Sequence, residues 1–350
     1  MKRKGRVGFL CLLCIAMLSG CSFLEKEKGE TLQLEEAQEA TQREIFAMDT
    51  YMTVTAYGGE KAEKAADEAI KEIERLEALL SVSQEGSETA LLNQKGEGTV
   101  SEDTAVLFTY AKNLCQDTAG AFDISVYPLM EAWGFPSGNF KVPGQKEIKE
   151  ILSKVNGTKI ELSKDKQVRF GISGMKIDFG GIAKGYTSSR IIEIWKEQGI
   201  SSGMVNLGGN VQVLGTKNDG SLWKVGIQSP EEAKEYLGVL EVQDCAVITS
   251  GGYERYFEEE GVTYHHILDP KTGYPAESDL TSVTIVSEDG TLADGLSTAL
   301  FVMGKEEALQ FWQSHREEFD AILLEENGTV SVTAGISEHF TSEYPIEVVK

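Results

Sequence analysis

Two of the chain's four histidines, His265 and His266, stand side by side near the end of a β-rich run. The run stops at Asp269-Pro270, because proline has no N–H to donate to a neighbouring strand and disfavours helix in the residue before it. An imidazole at a strand end, next to a stiff loop, can change its protonation state near neutral pH. Two interpretations stay open: a functional imidazole, or a plain Asp-Pro turn carrying two surface histidines.

A carboxylate and a hydroxyl, Asp294 and Thr298, stand four positions apart in an apolar run. In a helix they share a face, and their oxygens are of the type that Mg²⁺ binds together with phosphate and water. The alternative is an aspartate that favours the dipole of a helix N-terminus, with a buried threonine one turn later.

A glycine turn follows Asp178, and a helix is expected to start near Gly185. Backbone amides at a helix start attract phosphate, and Lys184 adds a positive charge beside them. The pattern is neither a Walker loop nor GxGxxG, so a phosphate cradle and a packed glycine turn are both compatible with it.

Aromatic residues flank a carboxylate between Gly120 and Phe135. Phe122 and Asp123 together suit a planar heterocycle, and core packing explains the aromatic residues equally well. Met48-Asp49-Thr50 stands before the first strand. It is compatible with a lid over a ligand and with the plain start of the strand.

The elements that must position these residues follow from hydrophobic periodicity. Residues 50–57 alternate as a strand, 60–80 form an amphipathic helix, 146–155 form a short helix, and 185–198 form another long one. Residues 202–286 are mostly β, and 291–303 and 306–315 return to helix. A closing hairpin is expected around Asn327-Gly328. The pattern contains no βαβ alternation and no repeat, so the fold class is α+β.

Charge and cysteine content exclude several classes of protein. The formal net charge of −23 opposes nucleic-acid binding. An anionic substrate therefore needs a metal ion or a specific lysine. Cys115 and Cys245 lie in apolar patterns, which favours buried free thiols over a disulfide framework or a zinc site.

The first twenty residues resemble a bacterial lipoprotein signal peptide. A basic start precedes an apolar stretch, Val7 to Leu18, which is too short to span a bilayer. Ser19-Gly20-Cys21 then predicts cleavage before Cys21 and lipidation of its thiol. Residues 21–44 are polar and would form a tether, so the mature protein is expected on the extracytoplasmic face of the cell membrane.

Six stretches, in order, resemble the motifs of the ApbE family. They are Met48-Asp49-Thr50, Gly120-Ala121-Phe122-Asp123, and residues 178–186, 206–210, 266–273 and 293–299.

The resemblance implies an α+β, T-fold-related domain of mixed sheet and helices over residues 45–345. It also implies Mg²⁺-dependent transfer of FMN from FAD to a Thr or Ser hydroxyl of an acceptor protein, with release of AMP. Acceptors in such systems are extracytoplasmic FMN-binding redox subunits.

The resemblance assigns roles by position. His266 would be the base, and His265 would face the other way because neighbouring strand residues alternate. The metal would be held by Gly181, Asp294, Ser297 and Thr298. The FAD-binding site would be lined by Met48, Ala121, Phe122, Asp123, Asp178, Lys184 and Leu268.

Two positions depart from the family pattern. Ser83 stands where many members carry an aromatic residue, which leaves Tyr51, Tyr127 or Trp133 to stack on the flavin. Asp49 replaces a glycine and is expected to stiffen the entry loop. Two other functions are weighed against transfer: hydrolysis of FAD to FMN and AMP, and a non-catalytic flavin-binding lipoprotein.

Overall fold

The structure is a computed structural model that describes residues 40–230 and 235–350. The helices are α1 (Glu60–Leu80), α2 (Glu88–Lys95), α3 (Glu102–Asp117), α4 (Tyr127–Trp133), α5 (Gln145–Leu152), α6 (Ala183–Glu197) and α7 (Gly290–Ser314). The strands are β1 (Ala40–Ala47), β2 (Thr50–Tyr57), β3 (Glu97–Thr99), β4 (Ile160–Leu162), β5 (Gln167–Phe170), β6 (Gly203–Leu207), β7 (Asn210–Leu214), β8 (Trp223–Gln228), β9 (Tyr236–Val242), β10 (Ala246–Gly251), β11 (Tyr256–Glu259), β12 (Val262–His265), β13 (Leu280–Ser287), β14 (Asp320–Glu325), β15 (Val330–Thr333), β16 (Phe340–Thr341) and β17 (Ile346–Val349).

A nine-stranded sheet organises the described residues, in the order β1-β2-β6-β7-β10-β13-β14-β15-β17. Its neighbouring strands are antiparallel except for β15 and β17. Three small sheets accompany it: β11-β12, β16-β9-β8 and β3-β5-β4. The strands are therefore not built from βαβ units, and the α+β prediction is confirmed.

Helices α1, α6 and α7 cover one face of the large sheet. The α1 sequence places alanines and larger apolar residues at helical spacing, and Ile73 and Leu76 are fully buried. Burying each such side chain contributes about 1.5–3 kcal/mol. Acidic residues in its first turn, Glu60 and Glu63, complement the helix dipole. The predicted helix over residues 60–80 is confirmed.

The β8-β9-β16 sheet lies against the other face. Strands of the large sheet supply Val213, Val247 and Ile322 to that interface, and the small sheet supplies Trp223 and Leu240. The large sheet is thus buried on both sides, which explains why β7 is buried along its whole length.

The two helices expected over residues 291–303 and 306–315 are parts of α7. Gly304, at φ 76° and ψ 173°, interrupts it with a conformation outside the helical region. Glycine adopts such a positive φ without the Cβ clash that other residues meet.

The predicted lower domain bound, residue 45, falls inside β1, and the upper bound, residue 345, leaves out β17. β1 already begins at Ala40, and β17 runs to Val349. The predicted signal peptide, the Cys21 lipidation site and most of the tether lie outside the described residues. None of the helices in the described part of the chain combines the length and apolar character needed to cross a membrane.

Candidate functional site

A pocket of ≈ 540 Å³ opens where the β1–β2 turn, the end of α1 and the starts of α6 and α7 approach one another. This volume lies in the range of small-molecule sites. The predicted site residues that line it are Met48, Ala121, Phe122, Asp123, Asp178, Gly181, Lys184, His266, Leu268, Asp294 and Thr298. Ser83 also lines it. Residues from six separate stretches of the chain therefore share one cavity.

The close crossing of α6 and α7 positions Asp294. Its side chain is 5% exposed, and the Gly185 N–H donates to its Oδ2 at 2.8 Å. A Cβ on Gly185 would overlap the Gly290 carbonyl oxygen. Only glycine at position 185 therefore lets the two helices approach closely enough to make this hydrogen bond.

Thr298 lies one turn along α7 and also reaches the pocket. Its hydroxyl is 3.4 Å from Ser250 Oγ, and a Cβ built on Gly181 would lie 3.7 Å from its Oγ1. The backbone of the glycine turn thus passes close to Thr298. Asp294, Thr298 and Gly181 form a group of oxygen donors.

Ser297 is turned differently. Its hydroxyl is fully buried, donates to the Asp294 carbonyl oxygen at 2.7 Å and lies 2.8 Å from Ser250 Oγ. It is not among the residues that line the pocket. The Ser297 hydroxyl thus contacts the backbone of α7 and the side chain of Ser250. The role of Ser297 as a metal ligand stays a prediction.

A divalent cation fits the chemistry of this group. Across residues 40–230 and 235–350, no three His, Cys, Asp or Glu side chains come together as a metal site. One carboxylate, a hydroxyl and a backbone carbonyl are hard oxygen donors, and Mg²⁺ commonly takes one or two carboxylates and completes its shell with phosphate and water. The donor set therefore suits Mg²⁺ and does not suit zinc.

Burial raises the pKa of Asp294, and Lys184 opposes that shift. Burial also raises the pKa of Asp178. The Gly180 N–H donates to Asp178 Oδ1 at 2.8 Å and opposes that rise. Asp178 is partly exposed to solvent, which also limits the rise of its pKa. Lys184 is the cation that acts on Asp294, as expected for a lysine in an otherwise acidic site.

His266 is anchored by one carbonyl oxygen. Its backbone N–H donates to Arg255 O at 3.0 Å, and its Nδ1 lies 3.2 Å from the same oxygen. A proton on Nδ1 satisfies that contact and leaves Nε2 free to accept a proton. Burial, followed by the positive charge of Arg255, lowers the pKa of His266 to about 3. The ring keeps part of its surface accessible, although protein atoms surround most of it.

The neighbouring His265 faces elsewhere. Its Nε2 lies 3.2 Å from the Ala276 carbonyl oxygen, and its ring packs edge-on against Phe301. It is not part of the pocket lining. The opposite directions of His265 and His266 agree with the alternation expected along a strand.

Asp123 has structural partners as well as a place in the pocket. Its Oδ1 accepts from the N–H and the hydroxyl of Ser125 at 2.7 and 2.6 Å, and its Oδ2 accepts from the Gly157 N–H at 2.8 Å. These bonds cap the short 3-10 helix at Ile124–Val126. The carboxylate therefore fixes the wall that carries Ala121 and Phe122.

The aromatic residues expected to replace a ring at position 83 do not line the pocket. Trp133 is fully buried and donates its Nε1–H to the Gly273 carbonyl oxygen at 2.9 Å. Tyr51 is 57% exposed and packs edge-on against Phe46. Tyr127 is buried in α4. The substitution expected for Ser83 is therefore wrong, because each of the three rings is held elsewhere.

Two residues in a left-handed conformation form the entry turn. Met48 and Asp49 form the two-residue connection between β1 and β2, with φ of 47° and 62°. Residues other than glycine seldom adopt this left-handed backbone conformation, which costs them about 1–2 kcal/mol each. Glu77 Oε1 accepts the Met48 N–H at 2.7 Å and stabilises the turn. Asp49 thus adds strain at a position where glycine adds none.

Sequence reasoning gave no role to several pocket residues, namely Asn210 in the matched stretch 206–210, and Ser250, Glu254 and Arg255 outside the matched stretches. Burial raises the pKa of Glu254 and Lys184 lowers it, but the side chain keeps solvent contact, so the upward shift is limited. The signal that was available is the charged pair Glu254-Arg255, which follows the end of β10 after Gly252 and Tyr253.

Comparisons with known proteins place the chain in one family. The family model described as "ApbE family" matches residues 48–323. The FAD:protein FMN transferase of Treponema pallidum is 32% identical over 290 residues, which is 78% of this chain and 80% of that protein. The ApbE protein of Thermotoga maritima has a TM-score of 0.81 at 32% identity, over 86% of this chain and 99% of that one. The apo flavinyl transferase ApbE of Pseudomonas stutzeri has a TM-score of 0.75 at 27% identity, over 88% and 95%.

Proposed function

The chain belongs to the ApbE family, and from that premise we propose that it transfers FMN from FAD to a Thr or Ser hydroxyl of an acceptor protein, releasing AMP. The observation that carries the proposal is one pocket lined by Asp294, Thr298, Gly181, Lys184 and His266. A cation site, a lysine and an imidazole within one cavity are the groups that phosphoryl transfer needs.

The reaction forms one P–O bond and breaks another. The acceptor hydroxyl oxygen attacks the phosphorus of the FMN half, and the bond from that phosphorus to the oxygen shared with AMP breaks. The hydroxyl proton passes to Nε2 of His266, and AMP leaves with the shared oxygen. FMN remains on the acceptor as a phosphoester.

The chain's own residues do most of this work by position and charge. Lys184 lies in the first turn of α6, where its ammonium group favours a diphosphate. The pKa of His266 is low in the free protein. Bound diphosphate adds negative charge that raises this pKa toward the working pH, so the imidazole becomes a better base when substrate is present.

Mg²⁺ would be held by the Asp294 carboxylate, the Thr298 hydroxyl and the Gly181 carbonyl oxygen. When bound, it supplies neutralising charge to the diphosphate and to the departing AMP. This role fits a chain whose overall charge is strongly negative.

The acceptor is proposed to be an extracytoplasmic FMN-binding redox subunit, and the transferase is proposed to be held beside it by a lipid on Cys21. Cell fractionation of wild type and Cys21→Ser tests the anchor. Wild type is expected in the membrane fraction and the variant in the soluble extracytoplasmic fraction; an unchanged distribution of the variant contradicts lipid anchoring through Cys21.

Transfer is tested by incubating the mature protein with FAD, MgCl₂ and an FMN-binding subunit encoded beside it. We expect covalent flavin on the subunit, seen by in-gel fluorescence and by a mass increase of one FMN less one water. EDTA should abolish it, and changing the acceptor's Thr or Ser to Ala should remove the attachment site.

Three outcomes separate the candidate functions. Attachment to the acceptor supports transfer. Free FMN and AMP at the same rate with and without acceptor favour hydrolysis. Tight FAD binding with neither product, and no effect of His266→Gln, identifies a flavin-binding protein and overturns the proposal.

A further inference from the structure

Asn210 is an unsatisfied polar residue in the wall of the pocket. Its side chain is 3% exposed, and neither Nδ2 nor Oδ1 has a hydrogen-bond partner among the described residues. Leaving a buried amide unpaired is unfavourable, and such groups in folded proteins call for an explanation. Of the buried side chains in the described part of the chain that lack a partner, Asn210 is the one that lines the pocket.

The local fold aims this side chain at the pocket. Leu207 pairs with Asn210 across a tight turn in which Gly208 and Gly209 both have positive φ, 70° and 98°. Asn210 therefore begins β7 on the same face as Gln212, whose Oε1 accepts from Ser188 at 2.7 Å. That face looks toward α6 and the start of α7, where Asp294 is located.

Asp294 lies near Asn210 but does not satisfy it. Both side chains line the same pocket, yet no hydrogen bond joins them in the free protein. A carboxylate attracts the NH₂ end of an amide, so with Nδ2 toward Asp294 the Oδ1 atom would face the cavity. In that orientation the amide would offer the cavity a carbonyl oxygen without a donor.

We propose that Asn210 is a positioning residue for the bound divalent cation: its Nδ2 donates to Asp294, and its Oδ1 accepts a hydrogen bond from a water on the cation. The inference rests on the proposed function. Mg²⁺ gives up its waters reluctantly, so a site with few protein ligands retains several of them. Groups that hold such waters and ligating carboxylates contribute about 10–100-fold in metal affinity.

The test measures cation binding without catalysis. Mn²⁺ replaces Mg²⁺ as the probe, because free Mn²⁺ is counted directly by its EPR signal, and titration with Mg²⁺ checks that both ions compete. The variant is Asn210→Leu, which keeps the volume and removes both polar atoms. The control is Asn206→Ala, which removes the hydrogen bond from the Gly209 N–H to Asn206 Oδ1 (2.9 Å) in the same turn.

We expect Asn210→Leu to weaken Mn²⁺ binding about 10–100-fold and to leave FAD binding in EDTA within about twofold of wild type. The melting temperature without metal should rise by about 2–4 °C, since two unpaired buried atoms are removed. Asn206→Ala should lower the melting temperature and leave Mn²⁺ affinity unchanged.

The inference is overturned if folded Asn210→Leu binds Mn²⁺ within twofold of wild type, or if Asn206→Ala weakens Mn²⁺ binding as much. It is also overturned if FAD binding in EDTA falls together with Mn²⁺ binding, because the amide then contacts FAD. If wild type binds no Mn²⁺ at all, the proposed cation-dependent transfer fails. That result differs from failure of the Asn210 inference alone, in which wild type binds Mn²⁺ and Asn210→Leu binds it equally well.

Discussion

The crossing of α6 and α7 at Gly185 leads to a prediction about both stability and catalysis. A Cβ at this position would overlap the Gly290 carbonyl oxygen and lie 2.6 Å from Asp294 Cβ and 2.8 Å from the Gly290 carbonyl carbon. None of these atoms is the end of a flexible side chain. Gly185→Ala must therefore separate the two helices by roughly 1 Å, the difference between these distances and ordinary contact.

The magnitude follows from two terms. Overpacking of a close contact costs about 1–3 kcal/mol. The hydrogen bond from Gly185 to the Asp294 carboxylate, now 2.8 Å, is worth about 1.5–3 kcal/mol and would be partly lost. We expect the free energy of unfolding to fall by about 2–5 kcal/mol. Displacing Asp294 by roughly 1 Å should slow FMN transfer about 100-fold.

The assay compares urea unfolding and the transfer rate of Gly185→Ala with those of Gly144→Ala. Gly144 precedes α5 at φ −70°, and a Cβ there would meet nothing within 4 Å. The control should change stability by no more than about 0.5 kcal/mol and leave transfer unaltered. If Gly185→Ala matches its control in both measurements, the helix crossing does not position Asp294 and the reasoning is refuted.

Three other predictions concern single groups. His266→Gln should slow transfer about 10²–10⁴-fold with FAD affinity unchanged. Because the pKa of His266 in the free protein is about 3, the ring is neutral above pH 5. An acid limb of kcat/KM with a midpoint near 6.5 would contradict this low pKa. Asp49→Gly should raise the free energy of unfolding in urea by about 0.5–1 kcal/mol, since it relieves a left-handed residue; a loss of stability would show that Asp49 is held by favourable contacts. Burial raises the pKa of both Cys115 and Cys245 to about 12, so a thiol reagent at pH 8 should modify them only after unfolding, and rapid modification of the native protein would show that they are accessible.

Local patterns were sufficient for elements whose burial repeats regularly. The stripe of small and apolar residues in α1 predicted its bounds, and the alternation in residues 50–57 predicted β2. Helix α5 spans Gln145–Leu152 and ends earlier than the predicted 146–155. Ser153 caps it, although the backbone of Ser153 is still αR. Periodicity fixes which face is buried more firmly than it fixes where a helix ends.

The order of strands in the large sheet could not be predicted by local patterns. Strand β2 pairs with β6, some 150 residues later, and β10 lies between β7 and β13. These pairings depend on which faces can be covered after the chain collapses. Asn210 and Glu254 reach the pocket through those pairings. The family resemblance grouped the stretch of Asn210 with that of Asp294, but no spacing in the sequence gave Asn210 or Glu254 a role.

The glycine-rich stretch after Asp178 had two interpretations in the sequence, a phosphate cradle or a packed turn, and different glycines support each. Gly181 faces the pocket near Thr298, where a Cβ would first meet the Phe122 ring at 3.2 Å. Gly185 packs against α7 and is buried. Packing at Gly185 brings Asp294 next to the turn that carries Gly181. The stretch is therefore both a packed turn, at Gly185, and a part of the pocket wall, at Gly181. A substitution at either glycine should therefore affect cation binding, through contact at position 181 and through helix separation at position 185.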